Sequence, residues 1–282
     1  MSKVEIFCPR CSKKGYIEID KAVVAKSQRG IVALTLNKDT ICEHSFLVYI
    51  DKNLAIRDSF LTDFTIQIPE MDIVKKNGIS KVTSEDEQNI GLIKLNLSPK
   101  TLIFIFRALF LKKKVLIISD DEFLNSQFQK FFEIIFKGSF KTDIMFLLNK
   151  TYKKGNFKKD FVILHGAEII KDKYKILDLK KNKMTIEKQI VQKFFEETES
   201  KSTIIILRNE IQKAQVLTQT ILDFLEENPS KKKINITNII EYLEKIHNVK
   251  VSKPYVYFLI EIAKKYFEVD IPLVYDSFIG FL

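Results

Sequence analysis

Cys8-Pro-Arg-Cys11 and, 30 residues further on, Cys42-Glu-His44 are the residues of this chain whose types and spacing could do chemistry. All three cysteines and one of the three histidines fall in these two short stretches. Two thiolates at Cys-x2-Cys spacing sit on one tight knuckle, and a Cys-x-His pair supplies the two further donors that a tetrahedral Zn²⁺ ion prefers. With all four positions filled by protein there is no open site for a substrate, so Cys8, Cys11, Cys42 and His44 are expected to hold a structural zinc. Two alternatives stay open: redox work by the Cys8/Cys11 pair, and unpaired cysteines in a core beside an unrelated histidine. Elsewhere, His165 beside Gly166 and His247 on a helix face have no nucleophile or acid recognisable as a partner. None of the eight glycines falls in a phosphate-binding or dinucleotide-binding loop, so no enzymatic constellation emerges.

The elements that must position the four donors are short strands. Tyr16–Ile19, Val23–Ala25, Ile31–Leu36 and Phe46–Ile50 have strand character, and Asn37–Thr40 reads as the turn that returns the second pair of donors to the first. This is the pattern of a zinc ribbon, and residues 1–69 are expected to form a β-rich ribbon domain. After the turn at Asp51–Asn53 the chain continues in extended pieces to Pro69. The polar stretch 70–90 reads as a linker.

Residues 91–230 are expected to form an α/β domain. Ser98 caps and Pro99 opens a helix that is apolar nearly all round, with Arg107 its only charge between Leu102 and Leu111. Such a helix is buried, and Arg107 on it should pair with a buried acid. Lys112–Lys114 stop the helix, and Val115–Ile118 reads as a buried strand. Asp120 and Asp121 open a helix with Phe123, Leu124, Phe128, Phe131, Phe132 and Ile135 at helical spacing, ended by Gly138. Strands are expected at Ile144–Leu148, Phe161–Leu164 and Tyr174–Leu177. Lys150–Lys159 is a basic loop that could touch an anion or simply be solvated. A helix capped by Thr185 runs to Glu197, Thr203–Leu207 is a strand or a buried helix, and another helix spans Gln212–Glu227.

The tail, 231–282, suits a winged-helix-like module. One helix turns Ile236, Ile239, Ile240, Leu243 and Ile246 inward; a second starts at Pro254; Val269–Phe281 supplies one or two strands. The second helix is too apolar to lie in a DNA groove, so docking against protein fits it better.

The formal charge of +10 is uneven: residues 1–95 hold 14 Lys/Arg against 13 Asp/Glu, and residues 96–282 hold 32 against 23. An anionic partner, nucleic acid or an acidic membrane surface, is one reading, and solvated lysines from a coding bias the other. Only five arginines occur, which weighs against base or phosphate readout. The first residues lack the pattern of a secretory signal, the longest apolar run is too short to span a bilayer, and three cysteines cannot all pair internally. A cytoplasmic location is the expectation.

Ala108-Leu-Phe-Leu-Lys-Lys-Lys-Val-Leu-Ile-Ile-Ser119, Phe161-Val-Ile-Leu-His-Gly166 and Ile176-Leu-Asp178-Leu-Lys-Lys-Asn182 resemble the central DENN domain. That module is shared by Rab exchange factors and, in divergent form, by folliculin and the nitrogen permease regulator-like proteins. Lys112 and Lys180 stand where the family often has acids, and the chain has no Trp. The resemblance covers residues 91–227. It implies an α/β domain that engages small GTPases or longin-type domains, as exchange factor, activator or scaffold. Arg57, Arg107 and Arg208 match no arginine finger of the folliculin-type activators. Ser27-Gln-Arg-Gly30 and Cys42-Glu-His-Ser-Phe46 look like the N-terminal ribbons of archaeal proteins.

Overall fold

The computed structural model describes residues 2–26, 31–62, 68–73, 84–154, 160–179, 181–197, 199–228 and 234–274. In the first lobe, β1 (Ser2–Phe7) and β2 (Lys14–Ile19) pair antiparallel as a hairpin, and α1 (Lys21–Lys26) follows. Val23–Ala25 is therefore helical and not the expected strand. The Asp20 carboxylate accepts the Ala22 N–H at 2.9 Å, an N-cap that turns the chain into a helix. β3 (Ile31–Leu36), β4 (Phe46–Asp51) and β5 (Ile56–Leu61) form an antiparallel sheet in that order.

β4 is buried along its whole length, and its alternation splits it between two cores. Phe46, Val48 and Ile50 pack with Val4, Ile6, Cys8, Ile41 and Cys42. Leu47 and Tyr49 face the other way, into the large core, where the Tyr49 ring meets Phe195 edge-on at 5.3 Å.

In the stretch read as a linker, α2 (Ser84–Asn96) already opens at Ser84. Residues 68–73 are also held in place: Asn209 accepts the Ile73 N–H at 2.7 Å and donates to the Met71 carbonyl at 2.8 Å, while Lys213 Nζ donates to the Pro69 carbonyl at 2.8 Å. The core of the α/β lobe is α3 (Pro99–Phe110). Ser98 Oγ accepts the Thr101 N–H at 3.1 Å, and every residue from Thr101 to Leu111 is buried. A Schellman turn ends it: the Lys112 N–H bonds the Leu109 carbonyl and the Lys113 N–H that of Ala108, with Lys112 left-handed at φ 56°. The chain then enters β6 (Lys114–Ser119), followed by α4 (Glu122–Phe136), β7 (Ile144–Leu148), α5 (Asn149–Lys154), β8 (Phe161–His165) and β9 (Glu168–Lys171).

These strands form one sheet in the order β7-β6-β8-β9, with β6 parallel to both neighbours and β9 antiparallel to β8. Val115, Ile117, Val162 and Leu164 face the large core, and Leu116, Ile118 and Ile163 face the opposite side with Tyr152. Within α4, Phe128, Phe131, Phe132 and Ile135 are buried, but Phe123 is 59% exposed because it lies in the first turn, beyond the end of the sheet. Tyr174–Leu177 is not a strand. Asp172 folds it into a turn, accepting the Leu177 N–H on its carboxylate and the Lys175 N–H on its carbonyl. The last strand lies earlier, at β9, immediately after the turn at Gly166 (φ 56°).

The elements that follow are α6 (Thr185–Glu196), α7 (Ser200–Glu227), β10 (Ile234–Asn235), α8 (Ile236–His247), α9 (Lys253–Lys265) and β11 (Leu273–Val274). Thr185 is the first residue of α6 and not its cap; Met184 holds the cap position in a left-handed conformation. Thr203–Leu207 is helical and merges with the expected later helix into the 28-residue α7. On α8, Ile236, Ile239 and Leu243 are buried, Ile240 is half-buried and Ile246 is 54% exposed. β11 is the only part of Val269–Phe281 found as strand among the described residues, and it pairs parallel with β10. Residues 275–281 lie outside the described residues.

α3, α6 and α9 meet at Arg107, which is 6% exposed. Its Nη1 donates to Glu187 Oε1 at 3.3 Å and to Glu261 Oε2 at 2.6 Å, and its Nη2 donates to Glu261 Oε1. One guanidinium serves two carboxylates. Burial pushes Glu187 up despite the pull of Arg107, whereas Arg107, against its own burial, is held above its ordinary value by Glu187 and Glu261. Replacing Arg107 by Ala strands the carboxylate of Glu187 in an apolar core. The expected loss is about 3–5 kcal/mol of unfolding free energy in a urea titration, partly recovered when Glu187→Gln is added.

Candidate metal centre

Two knuckles build the site. At the end of β1 the Cys8 N–H donates to the Lys13 carbonyl at 3.0 Å, and the Cys8 carbonyl accepts the Ser12 N–H at 2.9 Å with Ser12 at φ 57°. This folds the chain tightly enough for the Arg10 N–H to point at Cys8 Sγ, 3.4 Å away. The second knuckle follows β3, where Asp39 at φ 71° donates its N–H to the Cys42 carbonyl at 2.8 Å and Lys38 N–H donates to Ser45 Oγ. The turn expected at Asn37–Thr40 is present and closed by a Thr40 N–H to Asn37 carbonyl bond.

The structure brings Cys8, Cys11, Cys42 and His44 together, with one donor atom from each lying within 4.8 Å of every other. Cys42 Sγ and His44 Nδ1 are 3.5 Å apart. An ion bonded at about 2.3 Å to sulfur and about 2.0 Å to nitrogen, at the tetrahedral angle, sets a sulfur–nitrogen edge of about 3.5 Å. The other ring nitrogen, Nε2, lies 4.0 Å from Glu43 Oε1, the kind of carboxylate that orients a ligating imidazole. All three cysteines are free thiols; Cys8 and Cys42 are buried and Cys11 is exposed.

The electrostatics ask for a cation. Burial pushes the Cys42 thiol up to about 11, assisted by the neighbouring Cys8 and Cys11. Cys8, opposed by its own burial, is brought below its usual value by N–H groups of Cys11 and Arg10 and by the other thiols. Three sulfurs this close cannot all carry negative charge unless a positive ion sits among them.

The remaining residues singled out by sequence are scattered. His165 ends β8 with Nε2 4.0 Å from Asp120 Oδ2, both well exposed, and Asp120 is an acid partner the sequence did not reveal. His247 Nε2 lies 2.8 Å from Thr220 Oγ1, and burial lowers its pKa. Arg57 donates to Asp51 at 2.8 Å, and Arg208 reaches the Lys137 carbonyl at 3.5 Å. Of the basic stretch 150–159, residues 150–154 belong to the short helix α5 (Asn149–Lys154) and 155–159 lies outside the described residues. An open cleft of about 650 Å³ between α6 and the α8–α9 turn is lined by Glu70, Gln189, Lys193, Glu196 and Lys250, without a nucleophile. Among the described residues no helix is long and apolar enough to cross a membrane. No protein-family model matches the chain, and no curated protein matches it either.

Gly15 is a site residue that sequence reasoning missed. A Cβ there would strike Ile41, whose Cδ1 it overlaps and whose Cγ2 lies at 2.9 Å. Ile41 is buried and precedes Cys42, so the absence of a side chain at Gly15 lets the two knuckles close. The expected result of Gly15→Ala is a metal affinity weaker by about 10–100-fold in a chelator competition titration. Gly91→Ala, where a Cβ meets nothing within 4 Å, should leave the affinity unchanged.

Proposed function

We propose that this chain is a non-catalytic regulatory or scaffold protein, with an α/β lobe that engages small GTPases or longin-type partners and a ribbon lobe braced by Zn²⁺. The ion's identity rests on the donors: three thiolates and an imidazole within 4.8 Å of one another favour zinc, and four protein ligands leave it a structural role. The partner reading rests on one observation. The two main stretches of resemblance to the DENN domain, 108–119 and 161–166, are distant in sequence yet supply adjacent parallel strands, with Leu116 opposite Ile163 at the centre of the sheet. Tyr255, Phe258, Leu259 and Ile262 of α9 are buried in the chain's own large core, so this helix is not the docking face of the proposed winged-helix-like tail. The test is incubation with a panel of GDP- and GTP-loaded small GTPases, following co-elution, nucleotide release and hydrolysis. Co-elution with at least one is expected; no binding and no rate change across the panel removes this reading.

The outer face of the β1–β2 hairpin favours a second reading, a zinc-ribbon nucleic-acid binder. Phe7 and Tyr16 are 43% and 57% exposed, with Lys14 and Lys3 ammonium groups each 5.0 Å from the respective ring centre. Glu5 on the same face accepts the Tyr16 O–H at 3.0 Å, and exposed rings beside lysines can stack unpaired bases. On this reading the chain is retained by single-stranded RNA or DNA at ~50 mM salt and released steeply as salt rises, and Phe7→Ala with Tyr16→Ala weakens retention. Failure to bind at that salt disposes of it.

A further inference from the structure

Residues 68–73 cross α7 without pairing to any strand among the described residues, and α7 holds them by their main chain. Asn209 accepts the Ile73 N–H at 2.7 Å and donates to the Met71 carbonyl at 2.8 Å, and Lys213 Nζ donates to the Pro69 carbonyl at 2.8 Å. A carbonyl and the N–H two residues further on are the pair that a parallel neighbour takes from an extended chain, so the Asn209 amide stands in for a strand. Exposure alternates as it does along an extended segment: Pro69 is buried, Met71 and Ile73 are half-buried, and Glu70 and Asp72 are exposed. Lys213 is 1% exposed, and without the segment its ammonium would be one acceptor short in a buried place. Burial lowers the pKa of Lys213, while Glu210 and, from the segment itself, Asp72 favour its charged form.

The segment does not fill its surroundings. Open cavities of about 650 and 520 Å³ meet at Glu70 and Lys193, and within 68–73 only Pro69 is fully buried. A stretch tied down by a few main-chain bonds and little buried apolar area opens at small cost. We propose that α7 carries a peptide-binding groove, that residues 68–73 occupy it as an internal stand-in, and that a partner protein displaces them with an extended segment of the pattern Pro-acidic-apolar-acidic-apolar. Main-chain bonds give such a groove its grip on any extended chain, and the side chains beside it choose among chains. Here the choice is written in the segment already seated there. Ile205 and Ile206 line the cavity beside Met71, which suits an apolar residue, and the ammonium groups of Lys193 and Lys213 suit acids at the positions of Glu70 and Asp72. The groove is separate from the strands β6 and β8 on which the GTPase reading rests, so either can fail without the other.

The experiment uses the full, metal-loaded chain and a fluorescently labelled peptide of the sequence Ile68-Pro-Glu-Met-Asp-Ile73, with binding followed by anisotropy. Glu70→Lys with Asp72→Lys, both at exposed positions, loosens the internal segment and should tighten binding of the peptide about tenfold over the parent. In that background Asn209→Ala should abolish binding, Lys193→Ala should weaken it about tenfold and Lys193→Arg should restore it. A peptide of the same composition in scrambled order should not bind. Displacement is read in the parent by deuterium exchange, where saturating peptide should speed exchange in 68–73 and leave α3 unchanged. No saturable binding to the loosened chain, binding indifferent to both Asn209→Ala and Lys193→Ala, or binding without faster exchange in 68–73 overturns the proposal. So does sedimentation showing parent dimers that Asn209→Ala abolishes, since the displacing segment would then belong to a second copy.

Discussion

A single guanidinium shared between two carboxylates fixes how the helices of this protein meet. α3 is apolar nearly all round, and a helix of that kind has no face that hydrophobicity alone would turn one way. Arg107 breaks the symmetry. Desolvating it is costly unless its N–H groups find acceptors, and the acceptors present are Glu187 on α6 and Glu261 on α9. Rotation of α3 about its axis would leave a charge unpaired in the core. The bonds reach across 80 and 154 residues of sequence, so they join three helices that nothing local brings together. A buried network of this type adds little net stability over a well-packed apolar core, and its value lies in selecting one arrangement among several of similar packing energy.

The first lobe meets that core along its sheet, with Ile31 of β3 and Phe60 of β5 flanking Leu47 and Tyr49 of β4. Alternation in β4 sends Phe46, Val48 and Ile50 toward the cysteine-bearing core and Leu47 and Tyr49 toward α6. Neither core is complete without β4. The knuckles themselves depend on little besides their own turns, the small core and the ion. Left-handed residues at Ser12 and Asp39 hold the loops in shapes that unrestrained L-residues seldom adopt, a cost that ligation of an ion would offset. Folding of the lobe and binding of the ion are therefore expected to be linked.

Several buried titratable groups brace the fold. Lys94 is buried against the Phe194 ring at 4.7 Å and donates to the Glu197 carbonyl at the end of α6. Lys213 is buried beside Glu210 at 2.9 Å while it holds the Pro69 carbonyl. Lys213 and Glu210, with Lys193, also line an open cavity of about 520 Å³ beside Glu70, Asp72 and Asn209.

The cluster of Cys8, Cys11, Cys42 and His44, α3 and β6 were legible in the sequence, because local signals specify them. Cys-x2-Cys spacing dictates a knuckle, a Ser-Pro start and an unbroken apolar run dictate a buried helix, and a short apolar run after three lysines dictates a central strand. Val23–Ala25 and Tyr174–Leu177 misled for a shared reason: apolar residues suggested strands, but the carboxylates of Asp20 and Asp172 captured nearby N–H groups and bent the chain. Sequence alone determined which residues could bind an ion and that Arg107 needed an acid. Only tertiary structure decided which acids, because Glu187 and Glu261 resemble any other surface glutamate until α6 and α9 pack on α3. Tertiary structure likewise gave β4 two cores and made Gly15 a point of closure, since both depend on contacts between segments whose sequences carry no mark of one another.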